Sequence, residues 1–284
     1  MYLREFGQAH EKTLLFFPGS CEPWREFAFA AEELAAAFRV LLVVPDGQDP
    51  DEHTDFVSVE KTVDDAAAWL RAHHIHQLEA LYGLSYGGGM ATRFLVTQRI
   101  PVEKAIIDAG TAPYTYPEWI CRLICVRDDW MVRLGRASIG AMKAAFPPER
   151  FARDPGKADE EYRKIQQYLK TYSNRTIRNI FWSANNYEVP YPAPKPDTVI
   201  QFWVGTKEWG SRFRDLKWYR RYLPQLELVE IPDMMHGEFV MMHPKAFAEK
   251  ALAFFEVHEN YSGKQSAKRQ PQRRASSAGN EDRA

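Results

Sequence analysis

Gly83-Leu84-Ser85-Tyr86-Gly87 places a serine midway between two glycines. A serine hydroxyl becomes a useful nucleophile only when a base removes its proton and a third group orients that base. Display of such a serine calls for a sharp, strained turn between a strand and a helix. Side chains two residues to either side would clash there, and Gly83 and Gly87 meet that need. Leu78–Tyr82 reads as the strand and Tyr86 to about Gln98 as the helix, in which Gly88 and Gly89 permit close packing. Neither G-x-G-x-x-G nor a Gly-Lys-Ser/Thr ending is present, which disfavours a phosphate cradle.

The partners of Ser85 are expected in loops after later strands. His236 follows the apolar run Leu226–Ile231 and is the candidate base; His243, beside Pro244 at a helix start, reads better as a capping or packing residue. Glu208 lies just beyond the run Val199–Val204 and is the first candidate for the acid that orients the base, with Asp108, after Val102–Ile107, in reserve. The competing reading of Glu208 is an exposed carboxylate balanced by Lys207. Asp197 sits at the wrong end of its strand, and Asp233 is too close to His236 in sequence.

A tetrahedral intermediate also needs backbone N–H donors for its oxyanion. The amide of Tyr86 is one candidate. The other is the amide of Ser20, in Phe17-Pro18-Gly19-Ser20-Cys21, where Pro18 has no N–H to give. Cys21 reads as a small side chain near the pocket and not as a nucleophile. His73, His74 and His76 are clustered, but their i, i+1, i+3 spacing at a helix end converges poorly on an ion, so no metal site is expected.

Positioning these groups requires a sheet with all their loops at one edge. The apolar runs Thr13–Phe17, Val40–Val44, Leu78–Tyr82 and Val102–Ile107 alternate with helical patterns at Phe27–Phe38, at Val59, Val63, Ala66 and Leu70, and from Tyr86. Continuous apolar strands separated by helices predict an α/β fold: a mostly parallel sheet with helices on both faces. The rhythm stops between residues 113 and 195, where amphipathic helices rich in Trp, Tyr, Arg and Lys are expected, with loops at Pro147-Pro148 and Asp154-Pro155-Gly156. It resumes with Val199–Val204, a helix around Phe213–Tyr222, Leu226–Ile231 and a helix from Pro244 to Phe255. The expected division is a core of residues 1–112 and 196–261, an inserted helical cap at 113–195, and a tail at 262–284.

The 284 residues, 45% hydrophobic, suffice for one large α/β domain with an insertion. Lys+Arg 37 against Asp+Glu 38 argues against a general nucleic-acid binder. That balance conceals a tail with six basic and two acidic residues, net +4, after a body of −5. The tail holds too few large apolar side chains to offset its ordering entropy and is expected to be disordered. Three Cys make no disulfide framework, no apolar run reaches about 18 residues, and Met1 to Lys12 lacks a signal-like apolar stretch. A cytoplasmic protein with a small-molecule substrate and no cofactor is expected; the oligomeric state stays open.

Together the elbow at Gly83–Gly87 and the order Ser85, Glu208, His236 resemble the α/β-hydrolase superfamily, in particular its small bacterial members with a helical cap. The resemblance covers about residues 12–112 and 197–257. It implies that Ser85 is the nucleophile, His236 the general base and then acid, and Glu208 its orienter. Two features depart from the family pattern: Pro18-Gly19 stands where His-Gly is usual, and the acid is Glu where Asp is commoner. The function implied is hydrolysis of a carboxylic ester, or a related thioester or amide. A cofactor-free C–C hydrolase or lyase and a non-catalytic receptor are the alternatives on the same scaffold. Tyr114, Tyr116, Trp119, Trp130, Phe146, Phe181 and Trp182 are candidates for an apolar wall over Ser85, against the reading that most of them form the cap's own core.

Overall fold

The computed structural model describes residues 1–98, 100–114, 116–194 and 196–256. The tail at 262–284 therefore lies outside the described residues. Seven strands form one sheet in the order β1-β3-β2-β4-β5-β6-β7. They are β1 (Tyr2–Phe6), β2 (Thr13–Phe17), β3 (Arg39–Val44), β4 (Leu78–Leu84), β5 (Val102–Asp108), β6 (Val199–Gly205) and β7 (Glu227–Ile231). All neighbours run parallel except β1, which is antiparallel to β3 with Tyr2 opposite Val44.

Alternation along the strands divides the core into two layers. Leu15, Phe17, Leu41, Val43, Leu81, Ile107 and Phe202 point to one face, where they pack with α2 (Val59–Ala72) and α3 (Tyr86–Thr97) through Val63, Leu70, Met90 and Phe94. Leu14, Phe16, Leu42, Tyr82, Ile106 and Trp203 point to the other, against Phe27 and Leu34 of α1 (Trp24–Leu34) and Phe247 and Ala251 of the last helix. Burial on both faces is why these strands read as unbroken apolar runs.

Between β5 and β6 the chain forms α4 (Glu118–Ala137), α5 (Ile139–Ala145), α6 (Pro148–Phe151), a 3₁₀ turn at Pro155–Lys157, α7 (Ala158–Thr171) and α8 (Asn174–Asn186). Met142, Ala152, Tyr162 and Leu169 make a small core of their own in this stretch. In contrast, α8 buries Ile177 and Ile180 in the same cluster as the sheet. The chain then continues through α9 (Gly210–Tyr222), α10 (Glu238–Met242) and α11 (Pro244–Glu256).

Several elements differ from expectation for local reasons. The helix expected at Phe27–Phe38 starts earlier, after Pro23, and ends at Leu34; Phe38 is buried without being helical. The expected loop at Pro147-Pro148 starts a helix, because Pro148 occupies a first-turn position where a missing N–H costs nothing. The run Tyr2–Phe6 mixes Arg and Glu with apolar residues and carries no strand signal, yet it forms an edge strand, with Glu5 bound to Arg39 at 2.7 Å. Among the described residues no helix is long and apolar enough to cross a membrane.

Leu41 is fully buried in the middle of β3, far from the loops that follow the parallel strands. Leu41→Ala is expected to lower unfolding free energy by about 2–5 kcal/mol. A shift in the urea midpoint equivalent to less than about 1 kcal/mol would contradict the tight two-layer packing.

Candidate active site

Ser85 sits between β4 and α3 with φ 54° and ψ −116°, a left-handed conformation that a non-glycine residue adopts only when its surroundings impose it. Those surroundings are backbone. A Cβ on Gly87 would lie 2.4 Å from the carbonyl oxygens of both Phe17 and Pro18, and one on Gly83 would lie 2.3 Å from the carbonyl oxygen of Gly87. The amide of Ser85 donates to the carbonyl of Asp108 at 2.7 Å, and its own carbonyl accepts from the amide of Thr111 at 2.9 Å. The ends of β2, β4 and β5 are thus bound around one residue.

Ser85 Oγ lies 2.8 Å from Nε2 of His236, and Nδ1 of His236 lies 2.8 Å from Oε2 of Glu208. The second carboxylate oxygen of Glu208 accepts from the amide of Trp209 at 2.7 Å. The Glu208 side chain is only 1% exposed, whereas Lys207 pairs with Asp233 at 2.5 Å instead of balancing Glu208. Buried this way, a carboxylate is well placed to hold one imidazole orientation and to stabilise positive charge on the ring. The indole of Trp209 stacks on the His236 ring, with centroids 4.6 Å apart and planes 21° apart.

Asp108 takes a different place. Its Oδ2 accepts from the hydroxyl of Tyr82 at 2.7 Å, and burial pushes its carboxyl up to about 7. His243 lies 3.9 Å from Glu238, outside the Ser85–His236–Glu208 chain of hydrogen bonds. Among the described residues no group of His, Cys, Asp and Glu could hold a metal ion; His73 stacks on Trp69 at 3.7 Å.

The loop carrying His236 is tied down from outside the sheet. Glu238, 3% exposed, accepts from the amide of Met235 at 2.9 Å and from Arg150 of α6 at the same distance. Arg150 also donates to the carbonyl of Asp233. Neither residue is singled out by sequence reasoning, and Trp209 was legible only as a neighbour of Glu208.

The first amides of a helix have no partner within it, so the Tyr86 amide at the start of α3 is available as a donor beside Ser85. Ser20 lies in the loop after β2 and lines the same cavity as Ser85. Burial pushes the Cys21 thiol up to about 12, which keeps it from acting as a thiolate. The cavity over Ser85 has a volume of about 580 Å³ and includes His236, Trp209, Tyr114, Phe146 and Phe181 in its wall. Tyr116, Trp119, Trp130 and Trp182 belong neither to that wall nor to a core. They are 38–67% exposed, which corrects both readings of these aromatics.

The Asp108 carboxyl gives a pH signature. In an unfolded chain an Asp loses its proton near pH 3.9. The folded protein keeps it to about 7, so between those values the native state binds the extra proton. Stability from this group is therefore expected to fall as pH rises from about 4 to 7. Urea unfolding of Asp108→Asn, in which the group stays neutral, should show that slope removed; identical pH profiles for wild type and variant would refute the assignment.

Residues 14–250 match the model of the alpha/beta hydrolase family. Similar solved structures include an alpha/beta hydrolase family protein from Desulfitobacterium hafniense, with a TM-score of 0.69 and 18% identity over 89% of this chain and 100% of that one. An esterase from a marine microorganism aligns with a TM-score of 0.62 and 20% identity, over 89% of this chain and 98% of the other. A structure from a study of carboxylesterases of Nitrososphaera gargenis aligns with a TM-score of 0.66 and 16% identity, over 90% and 94%. No curated protein matches the chain in sequence. At these identities the solved structures attest the fold, and the match over residues 14–250 attests the family: the chain belongs to the alpha/beta hydrolases.

Proposed function

We propose that the protein is a serine hydrolase that cleaves a carboxylic ester, or a related thioester or amide, through an acyl-Ser85 intermediate. The observation that carries this reading is the unbroken chain of 2.8 Å contacts from Ser85 Oγ through His236 to buried Glu208. The esterases among the similar folds support the choice of bond.

In this reading, Nε2 of His236 takes the Ser85 proton as Oγ attacks the carbonyl carbon. The negative charge that develops on the carbonyl oxygen falls to the amides of Tyr86 and Ser20, donors of a kind worth roughly 10²–10³-fold in rate each. His236 then gives the proton to the leaving oxygen, nitrogen or sulfur, and the C–X bond breaks. A water, deprotonated by the same nitrogen, attacks the acyl-enzyme; the acid leaves and Ser85 recovers its proton. Glu208 accepts from Nδ1–H throughout, fixing the tautomer and stabilising the imidazolium. The cavity of about 580 Å³, with its aromatic wall, suits a small acyl ester.

A fluorophosphonate probe should label the wild type and leave Ser85→Ala unlabelled, and that variant should lose at least about 10⁴-fold in hydrolysis of short p-nitrophenyl esters. Equal labelling of the two proteins would remove Ser85 as nucleophile. Glu208→Gln should lower kcat by roughly 10²–10⁴-fold while Asp108→Asn stays within about tenfold of wild type. The reverse ranking would move the acid role to Asp108.

A further inference from the structure

Helix α4 carries an apolar face that its own chain does not cover. Trp119, Leu123, Val126, Trp130 and Leu134 follow one another at intervals of four, three, four and four residues, and are 63, 61, 54, 67 and 56% exposed. At 100° per residue they fall within an arc of about 80°. Cys121 and Gly135, the buried residues of the helix, lie on the opposite side. From Trp119 to Trp130 the stripe is therefore turned away from the body of the protein, and Leu134 at its end also reaches the cavity wall. With neighbouring Tyr116 and Met131 it exposes roughly 800 Å² of side chain, at about 200 Å² for each large residue. That exceeds the largest apolar patch of an ordinary monomer, about 300–600 Å². It equals the roughly 800 Å² that each partner contributes to a stable complex.

The charges beside the stripe indicate what covers it. Glu118 pairs with Arg122 at 2.6 Å and Asp129 pairs with Arg133 at 2.7 Å, both along one flank of the helix. The order acid, base, acid, base is self-complementary when the helix is reversed. If a two-fold axis passes between Cys125 and Val126, each residue faces the one whose number completes 251. Glu118 then meets the partner's Arg133, and Arg122 comes level with the partner's Asp129, whose side chain is 14% exposed. The same axis lies between Leu123 and Val126, near the middle of the stripe. A parallel pairing would set like charges at equal heights.

We propose that α4 packs antiparallel against α4 of a second copy of this chain, in an isologous dimer closed by the apolar stripe and flanked by four symmetry-related ion pairs. A lipid surface is the other occupant an apolar helix face could meet. The helix carries four Arg against three Asp/Glu, a surplus of a single positive charge and not the basic face that an anionic membrane attracts. This inference does not depend on the chemistry of Ser85. It does bear on the cavity, because Met131 and Leu134 contribute both to the exposed face and to the cavity wall.

The test is sedimentation equilibrium of the full chain at about 1–100 μM. The wild type is expected at twice its 32.9 kDa mass. Leu123→Glu and Trp130→Glu should each raise the dissociation constant at least about 30-fold, the effect of losing an anchor worth some 2 kcal/mol. Both residues face solvent within the single chain, so far-UV circular dichroism should be unchanged. Glu118→Arg alone should weaken the dimer, and Glu118→Arg combined with Arg133→Glu should restore it. A wild type that stays monomeric to 100 μM overturns the proposal; if it then co-sediments with phosphatidylcholine vesicles, the stripe serves a lipid surface. A dimer that survives both stripe variants, or a charge swap that fails to restore association, overturns the antiparallel α4 pairing.

Discussion

The first turn of α3 lies so close to the end of β2 that a single methyl group on Gly87 would sit 2.4 Å from two carbonyl oxygens. This contact of bare backbone holds the elbow in shape, and the rest of the site is arranged around it. It brings the loop after β2, with Ser20, alongside the amides that open α3. It leaves Ser85 no room to relax from φ 54°, so the hydroxyl projects from the end of the sheet toward the loops that follow β6 and β7. The strain is maintained by a sheet whose strands are buried on both faces, and the hydrogen bonds from Ser85 and Thr111 close the β4–β5 side of the same knot.

Two carboxyl groups at the ends of neighbouring strands show how environment separates residues of similar chemistry. Glu208 is buried but receives a backbone amide on one oxygen and the His236 ring on the other. Asp108 is buried with the Tyr82 hydroxyl as its partner, and its proton is held far more tightly than in water. Chain position admitted both as orienters of the base. In the structure the turn Gly205–Glu208 carries the Glu208 carboxylate to Nδ1 of His236, while Asp108 stays with Tyr82.

The parts of this site that were legible in the sequence are those governed by local rules. Strands buried on both faces appear as apolar runs, and a turn that forbids side chains appears as Gly83 and Gly87, so the sheet and the elbow could be read directly; Glu208 and His236 were candidates by chain position and resemblance, and the structure brings both side chains to Ser85. What escaped depends on partners distant in sequence. β1 is an edge strand with few apolar residues, recognisable only once β3 is beside it. Arg150 and Glu238 lie 88 residues apart, and nothing local announces their contact. The aromatics of α4 mark an amphipathic helix, but periodicity reveals only that a face is apolar, not whether the same chain covers it.

The Arg150 contact reaches beyond anchoring. Arg150 belongs to the helical stretch inserted between β5 and β6, and it grips Glu238 and the Asp233 carbonyl on either side of His236. Phe151, the next residue on α6, lines the cavity. The wall and the loop that aims the imidazole are therefore linked by one guanidinium. A displacement of α6 would act through these bonds on the segment from Asp233 to Glu238. The cavity wall and the loop that holds the imidazole thus share one anchor outside the sheet, and a change at Arg150 reaches both.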